Sequence, residues 1–447
     1  MRITPFVATA PIVLLGLGAL LAPNLALAQT ALLCGDLFDA RQGRMAGPHT
    51  LVVEGDRITA VDRGLQAPEG MDSVDLSQLS CSPGWIDLHV HLGNESGPGR
   101  YTEGFRLEPE HFAFRAVNYA QRTLMAGFTS VRDLGGETAL ALRDSINDGT
   151  TVGPHVYAAG KSIATTGGHA DPSNGMNRRF RNLAGTPGPT EGVVNGPEEA
   201  RQAVRQRYQD GSDTIKITAT GGVLSYARSG DGPQFTVEEI RAVVEAAADY
   251  GYTVAAHAHG KEGMRRAIEG GVASIEHGTY MDDEIFELMK SHGTWYVPTV
   301  SAGRFVQAQS RIDGYYPEIV RPKAATIGGL IQDTLARAYR AGVKIAFGTD
   351  SGVSLHGDNA EEFVFMVEAG MPAGEALQAA TLNASQVLGM ADEIGTAEAG
   401  KRADIVAVAG NPVDDIGAVR EVRFVMKSGE VVRHDDGDIG TSADVDA

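Results

Sequence analysis

Between residues 84 and 349 the chain repeats one pattern eight times: a short apolar run of strand length, then a stretch of helical period. The runs fall at 84–89, 129–134, 156–159, 214–218, 253–257, 273–277, 295–300 and 343–349, and helical patterns lie between them, for instance at 237–250, 261–270 and 283–292. Strands that alternate with helices pair in parallel, because each helix carries the chain back across the sheet. Eight such units predict an α/β fold, a (β/α)8 TIM-type barrel, whose reactive groups stand where the strands end. Glycine fits that placement. It fills 56 of 447 positions, and Gly135-Gly136, Gly160, Gly221-Gly222, Gly260, Gly278, Gly348 and Gly352 sit at those ends.

The flanks read differently. Residues 29–82 and 393–433 carry short β-rich runs broken by turns, so both chain ends are expected to form one small β-sandwich domain beside a barrel spanning 83–392. Within them, 50–58 predicts a hairpin with Gly55-Asp56 at its tip, and 403–408 and 422–432 predict strands. The stretch 434–447 is acidic and glycine-rich, the composition of a disordered tail. Residues 1–28 open with Arg2, continue through an apolar run at 5–21 and close on Ala26-Leu27-Ala28, the parts of a secretory signal peptide. An uncleaved anchor over 6–28 is the competing reading; Pro11, Pro23 and the small-residue site favour cleavage. The expectation is a protein exported to the periplasm or secreted, and free of the membrane once cleaved. Under oxidising conditions Cys34 and Cys81 either form a disulfide or stay as two buried thiols, and both readings stand at this point.

Charge narrows the partners. With 57 acidic against 38 basic side chains the formal charge is −19, which argues against nucleic acid or an anionic membrane surface as a general partner.

Histidines and carboxylates cluster at the predicted strand ends. The first strand closes on Asp87-Leu88-His89-Val90-His91, and residues two apart on a strand face the same way, so both imidazoles can grip one ion. The fifth ends in His257-Ala258-His259, the sixth in Glu276-His277-Gly278 and the eighth in Gly348-Thr349-Asp350-Ser351. In the fourth, Lys216 lies between Ile215 and Ile217, a costly place for an ammonium unless it is paired or modified. Any one of these reads as an ordinary core or rim residue. Together, in order, they point to a metal site.

These stretches carry a resemblance. Pro83-Gly84-Trp85-Ile86-Asp87-Leu88-His89-Val90-His91, Gly127-Phe128-Thr129-Ser130-Val131-Arg132-Asp133, Ile215-Lys216-Ile217 with Thr220-Gly221-Gly222-Val223, His257-Ala258-His259-Gly260, Ile275-Glu276-His277-Gly278, Gly348-Thr349-Asp350, and the late Gly400-Lys401-Arg402-Ala403-Asp404-Ile405-Val406 with Asn411-Pro412 resemble the amidohydrolase superfamily. The likeness runs over nearly the whole length after the leader. It is strongest to the prolidase-like branch of Xaa-Pro and Xaa-Arg dipeptidases and of amidohydrolases that cleave ochratoxin A. The resemblance implies that His89, His91 and Asp350 hold one divalent ion and His257 and His277 a second, with Lys216 as N6-carboxylysine, its CO2-derived carbamate bridging both. Imidazole and carboxylate ligands suit zinc, with manganese or cobalt compatible. Such ions lower the pKa of a shared water, and Asp350 is implied as the catalytic proton carrier. A homo-oligomer, as large as an octamer, is implied too.

Substrate contacts are less sharply marked. His169 and His259 resemble family positions near the substrate's carboxylate, and Tyr226 and Arg228 are further candidates. The segment 162–197 is too long for a mere connector and carries Arg178, Arg179 and Arg181, which read equally as attraction for an anion or as a solvated loop. The expected reaction is carboxypeptidase-like hydrolysis of a small-molecule amide, either a dipeptide or an N-acyl amino acid, including release of phenylalanine from ochratoxin A. A cyclic amidase or imidazolonepropionase-like hydrolase is the alternative; Lys216 speaks against its one-metal form. A non-catalytic binding protein on the same fold is a remote third.

Overall fold

The computed structural model describes residues 29–227 and 229–435. The expected leader 1–28, the candidate Arg228 and most of the expected tail, 436–447, lie outside the described residues.

Seven of the eight expected parallel strands form. Trp85–Val90, Phe128–Asp133 and His155–Ala158 pair in parallel as one sheet. Ile215–Thr218, Val254–Ala258, Ser274–His277 and Trp295–Val297 pair in parallel as a second. Ile163 joins the two groups: its N–H donates to Lys216 O at 2.8 Å and its carbonyl accepts from Thr218 N at 3.0 Å. Five of the seven are buried along their whole length, as expected of a sheet covered on both faces.

The eighth expected strand, 343–349, does not form a ladder. It touches its neighbours at single bridges, Ile345 to Tyr296 and Ser351 to Val90. The reason is local competition for its donors. Phe347 N bonds to Ala379 O, and Thr349 N bonds to the Asp87 carboxylate at 3.0 Å. Other groups still link it to the first strand: Leu88 N to Phe347 O at 3.0 Å, Asp350 N to His89 O at 2.7 Å and His91 N to Ser351 O at 2.7 Å.

The helices Lys261–Gly270 and Asp283–His292 occupy the expected spans. Val237–Ala248 starts where its sequence demands, since the Thr236 side chain accepts from Glu239 N while the Glu239 carboxylate accepts from Thr236 N at 2.8 Å. It stops short of the expected 250 because the chain turns through Gly251 at φ 73°. Among the described residues no helix is long and apolar enough to cross a membrane.

The two chain ends meet in one hydrogen-bonded sheet that curls over its own core, bringing the Gly55 turn against Gly429. Ile405–Ala409 pairs antiparallel with Asp72–Pro83, which pairs parallel with Gln29–Asp39. That continuity gives a single eight-stranded sheet. One face encloses its own core, including Leu32, Leu51, Ile58, Leu76, Ile405 and Phe424, while Val406, Val408 and Val425 join the core of the parallel strands. The hairpin His49–Glu54 to Arg57–Arg63 turns at Gly55-Asp56, where Gly55 takes φ 58°. The run 422–432 is a second hairpin, Val422–Lys427 with Glu430–His434, because Ser428 and Gly429 both adopt positive φ, the signature of a tight turn. Cys34 and Cys81 are fully buried on adjacent strands with their sulfurs 2.11 Å apart and Cα atoms 5.8 Å apart, which is disulfide geometry.

Candidate active site

All six expected ligand residues, with His169 and His259, line one cavity of about 220 Å³ at the ends of the parallel strands. Strand register brings them there: Thr218 pairs with His257, and Ala258 with His277.

Each imidazole has one nitrogen committed elsewhere, and this decides which nitrogen faces the cavity. His89 Nδ1 lies 2.9 Å from Glu276 Oε2, while its Nε2 is 3.2 Å from Lys216 Nζ and 3.6 Å from Asp350 Oδ1. His91 places Nδ1 against Gly135 O and Nε2 3.3 Å from Asp350 Oδ1. His277 Nδ1 meets Thr299 Oγ1 at 2.7 Å. His257 reverses the choice: its Nε2 donates to Gly221 O at 3.0 Å, leaving Nδ1 open. The His257 and His277 ring centres are 4.7 Å apart, and those of His89 and His277 5.0 Å.

One ligand atom from each of His89, His277 and Asp350 lies within 4.8 Å of the others. Among the described residues Asp350 Oδ1 is buried with no hydrogen-bond partner. An orphaned carboxylate oxygen surrounded by open imidazole nitrogens is the donor set a divalent cation needs, so the residues fit a metal. Backbone strain marks the same place. His277, Thr299 and Asp350 adopt φ of 71°, 54° and 58°, values that side-chain-bearing residues rarely take and that the surrounding structure must enforce.

Burial and neighbouring charge set the protonation states. Burial drives His89, His257 and His277 well below the usual imidazole value, and Lys216 or other histidines add to it, so all three are neutral. Burial lowers Lys216 to about 8, Arg132 adds to the shift, and Glu276 and Asp350 oppose it. An amine so placed has an accessible neutral form, the form that reacts with carbon dioxide. Burial raises the Asp350 carboxyl, but His89, His91 and Lys216 outweigh it and leave the group below its ordinary value.

A buried relay supports this half of the site, and the sequence did not single it out. Glu276 receives His89 on one oxygen and Arg132 Nη2, at 2.9 Å, on the other. Arg132, fully buried, also donates to Leu88 O at 2.7 Å. Asp87 holds Thr349 Oγ1 at 2.6 Å and Asn359 Nδ2 at 2.8 Å beneath the eighth segment. Both acids stood in the recognised motifs, but nothing in their spacing revealed what they touch.

The substrate candidates divide. His169 stacks on His257 with ring centres 4.3 Å apart and hydrogen-bonds Ser225 Oγ through Nδ1. His259 Nδ1 meets Thr279 Oγ1 at 2.7 Å. Burial lowers these two imidazoles to about 3 and about 4. Tyr226 is 54% exposed and stands outside the cavity lining, beside Gly175. Arg178, Arg179 and Arg181 lie on the exposed helix Arg178–Ala184, none of them in the lining. Among the described residues the arginine in the lining is Arg100, which sequence reasoning missed.

A cluster of neutral imidazoles, a buried lysine and an orphaned aspartate at the ends of parallel strands defines the class of metal-dependent hydrolases. The chain belongs to the amidohydrolase family, whose model matches residues 81–432. It is 36% identical to ochratoxinase from Aspergillus niger over 369 residues, 78% of this chain and 75% of that protein. It also resembles a crystal structure of a Xaa-Pro dipeptidase with bound methionine in the active site, with a TM-score of 0.88, 50% identity and coverage of 91% of this chain and 100% of that one. A prolidase structure complexed with N-methylphosphonate-L-proline matches with a TM-score of 0.82 and 30% identity over 91% and 100%. These place the chain in the prolidase-like branch, as a hydrolase acting on amide bonds.

Proposed function

We propose that the chain is an exported, binuclear amidohydrolase that cleaves dipeptides or N-acyl amino acids beside a free carboxylate, with ochratoxin A within its range. The observation that carries this reading is the convergence of His89, His91, Lys216, His257, His277 and Asp350 on one cavity. His89, His91 and Asp350 would hold one ion, His257 through Nδ1 and His277 through Nε2 the other, and carboxylated Lys216 would bridge them. Bound zinc supplies Lewis acidity, which makes a water more acidic and stabilises negative charge on the scissile carbonyl oxygen.

The chain's own residues supply the rest. The Asp350 carboxylate takes the proton of the attacking water and passes it to the leaving nitrogen. His169 and His259 are neutral and each has its Nδ1 occupied, so Nε2 of each is available to meet a substrate carboxylate. Arg100 gives the mouth a fixed positive charge. The eight α/β units are read as a barrel over 83–392, with the chain-end sheet at 29–82 and 393–433 and a tail after it. Homo-oligomerisation, signal cleavage and a periplasmic or secreted location belong to the same proposal.

A hydrolysis screen of dipeptides and N-acyl amino acids, ochratoxin A included, tests it on zinc-loaded protein. Cleavage confined to substrates without a free carboxylate would overturn the carboxypeptidase-like assignment. Metal content is the second readout. About two ions per chain is expected, and one would favour the cyclic amidase reading.

A further inference from the structure

Lys323, in the first turn of the helix Arg321–Arg340, has no part in the chemistry above. Its ammonium is nonetheless the meeting point of three backbone carbonyls: Nζ donates to Gly222 O at 3.2 Å, Ser225 O at 2.9 Å and Ala227 O at 2.9 Å. An ammonium has three protons to donate, and all three are used. Burial alone lowers its pKa, with no carboxylate contributing. Three carbonyl oxygens gathered at one point repel each other, and a cation among them relieves that repulsion.

The loop so held serves the site in three ways. Gly221 O fixes the ring of His257. Ser225 Oγ engages His169, and Gly222 packs so close to the His169 ring that a Cβ there would overlap it. Val223 and Leu224 line the cavity. The helix that carries Lys323 lines it too, through Ile327 and Ile331, which at four and eight residues further on share a face with Lys323. One side chain therefore ties two walls of the cavity together.

We propose that Lys323 is a positioning residue for substrate binding, a cationic strap that sets the spacing between the 222–227 loop and the Arg321–Arg340 helix and with it the pose of His169. It touches no reacting group and acts through the loop. A neutral side chain at 323 removes that donor from the Ser225 and Ala227 carbonyls and leaves Gly222 O with Ser225 N alone, in a half-buried place, and the loop must shift to reach water.

The test compares K323M and K323R with the wild type as full-length, zinc-loaded protein. Its kinetic arm rests on the proposed amide hydrolysis and uses the substrate the wild type turns over fastest. K323M is expected to raise KM about tenfold while kcat changes less than about threefold. Its metal content is expected to stay unchanged, and hydrogen exchange is expected to quicken in 221–230 but not in 274–277. K323R, whose guanidinium can still donate to several carbonyls, is expected to recover most of the lost KM. Wild-type KM and exchange in K323M would overturn the strap. So would a loss shared equally by kcat and metal content, or no recovery in K323R. Should the wild type cleave nothing in the screen, the functional proposal fails by itself. The exchange arm then decides the strap: faster exchange in 221–230 supports it and unchanged exchange overturns it.

Discussion

The two halves of the cavity are built by different means. The half proposed to hold metal is built on the first, fourth, fifth and sixth parallel strands and the eighth segment, with its rings held by second partners: His89 by Glu276, His277 by Thr299, His257 by Gly221. The half proposed to bind substrate is assembled from loops and helices distant in sequence, such as Ser225 against His169 and Lys323 against the 222–227 loop. Strand register places side chains at the strand ends, whereas a loop is as well placed as the side chains that tie it down. Substitutions in the first half should therefore cost turnover or metal, and those in the second should cost substrate affinity.

The largest expected effect is at Asp350. Asp350→Asn should keep metal yet lose turnover by about a thousandfold, read as kcat beside metal content. A loss below about tenfold would break the assignment of the proton-carrying role. Next is the buried relay. Glu276→Gln frees His89 Nδ1 from its anion and leaves Arg132 buried beside a neutral group. Metal affinity should fall about 10–100-fold in chelator competition, with a destabilisation of about 3–5 kcal/mol in denaturant unfolding. Unchanged metal affinity would show that the relay serves stability alone.

Smaller effects belong to the substrate half. Arg100→Met should raise KM about three- to tenfold for substrates with a free carboxylate and leave carboxamide analogues unaffected, because a charge at the mouth discriminates by charge. An equal rise for both would assign Arg100 a packing role. Smallest is Tyr226→Phe, where kcat/KM should stay within about twofold because the ring stands outside the lining. A larger loss would mean that the 222–227 loop closes over bound substrate and would redraw the boundary between the halves.

Legibility followed the same division. His89, His91, His257, His277 and Asp350 were readable because a residue's place at a strand end follows from local periodicity, and Lys216 because an ammonium between isoleucines contradicts its surroundings. Arg100 was not, since its approach to the cavity depends on how a loop folds back. The eighth strand misled for a related reason: its apolar run is real, but Phe347 and Thr349 give their N–H groups to Ala379 and Asp87, partners far away in the chain. The chain-end sheet is continuous because Ile405–Ala409 pairs edge to edge with Asp72–Pro83, a contact spanning more than three hundred residues.

The sequence by itself determined the alternation of parallel strands and helices and the gathering of histidines, Lys216 and Asp350 at the strand ends, because period, turn chemistry and charge in an apolar run act over a few residues. Only the tertiary structure decided which nitrogen of each histidine is open, that Asp350 Oδ1 is left without a partner, that Cys34 meets Cys81 and that Lys323 gathers three carbonyls. Those outcomes depend on hydrogen-bond partners and burial supplied by remote segments, and an unpaired or mispaired polar group becomes costly once folding has taken the water away.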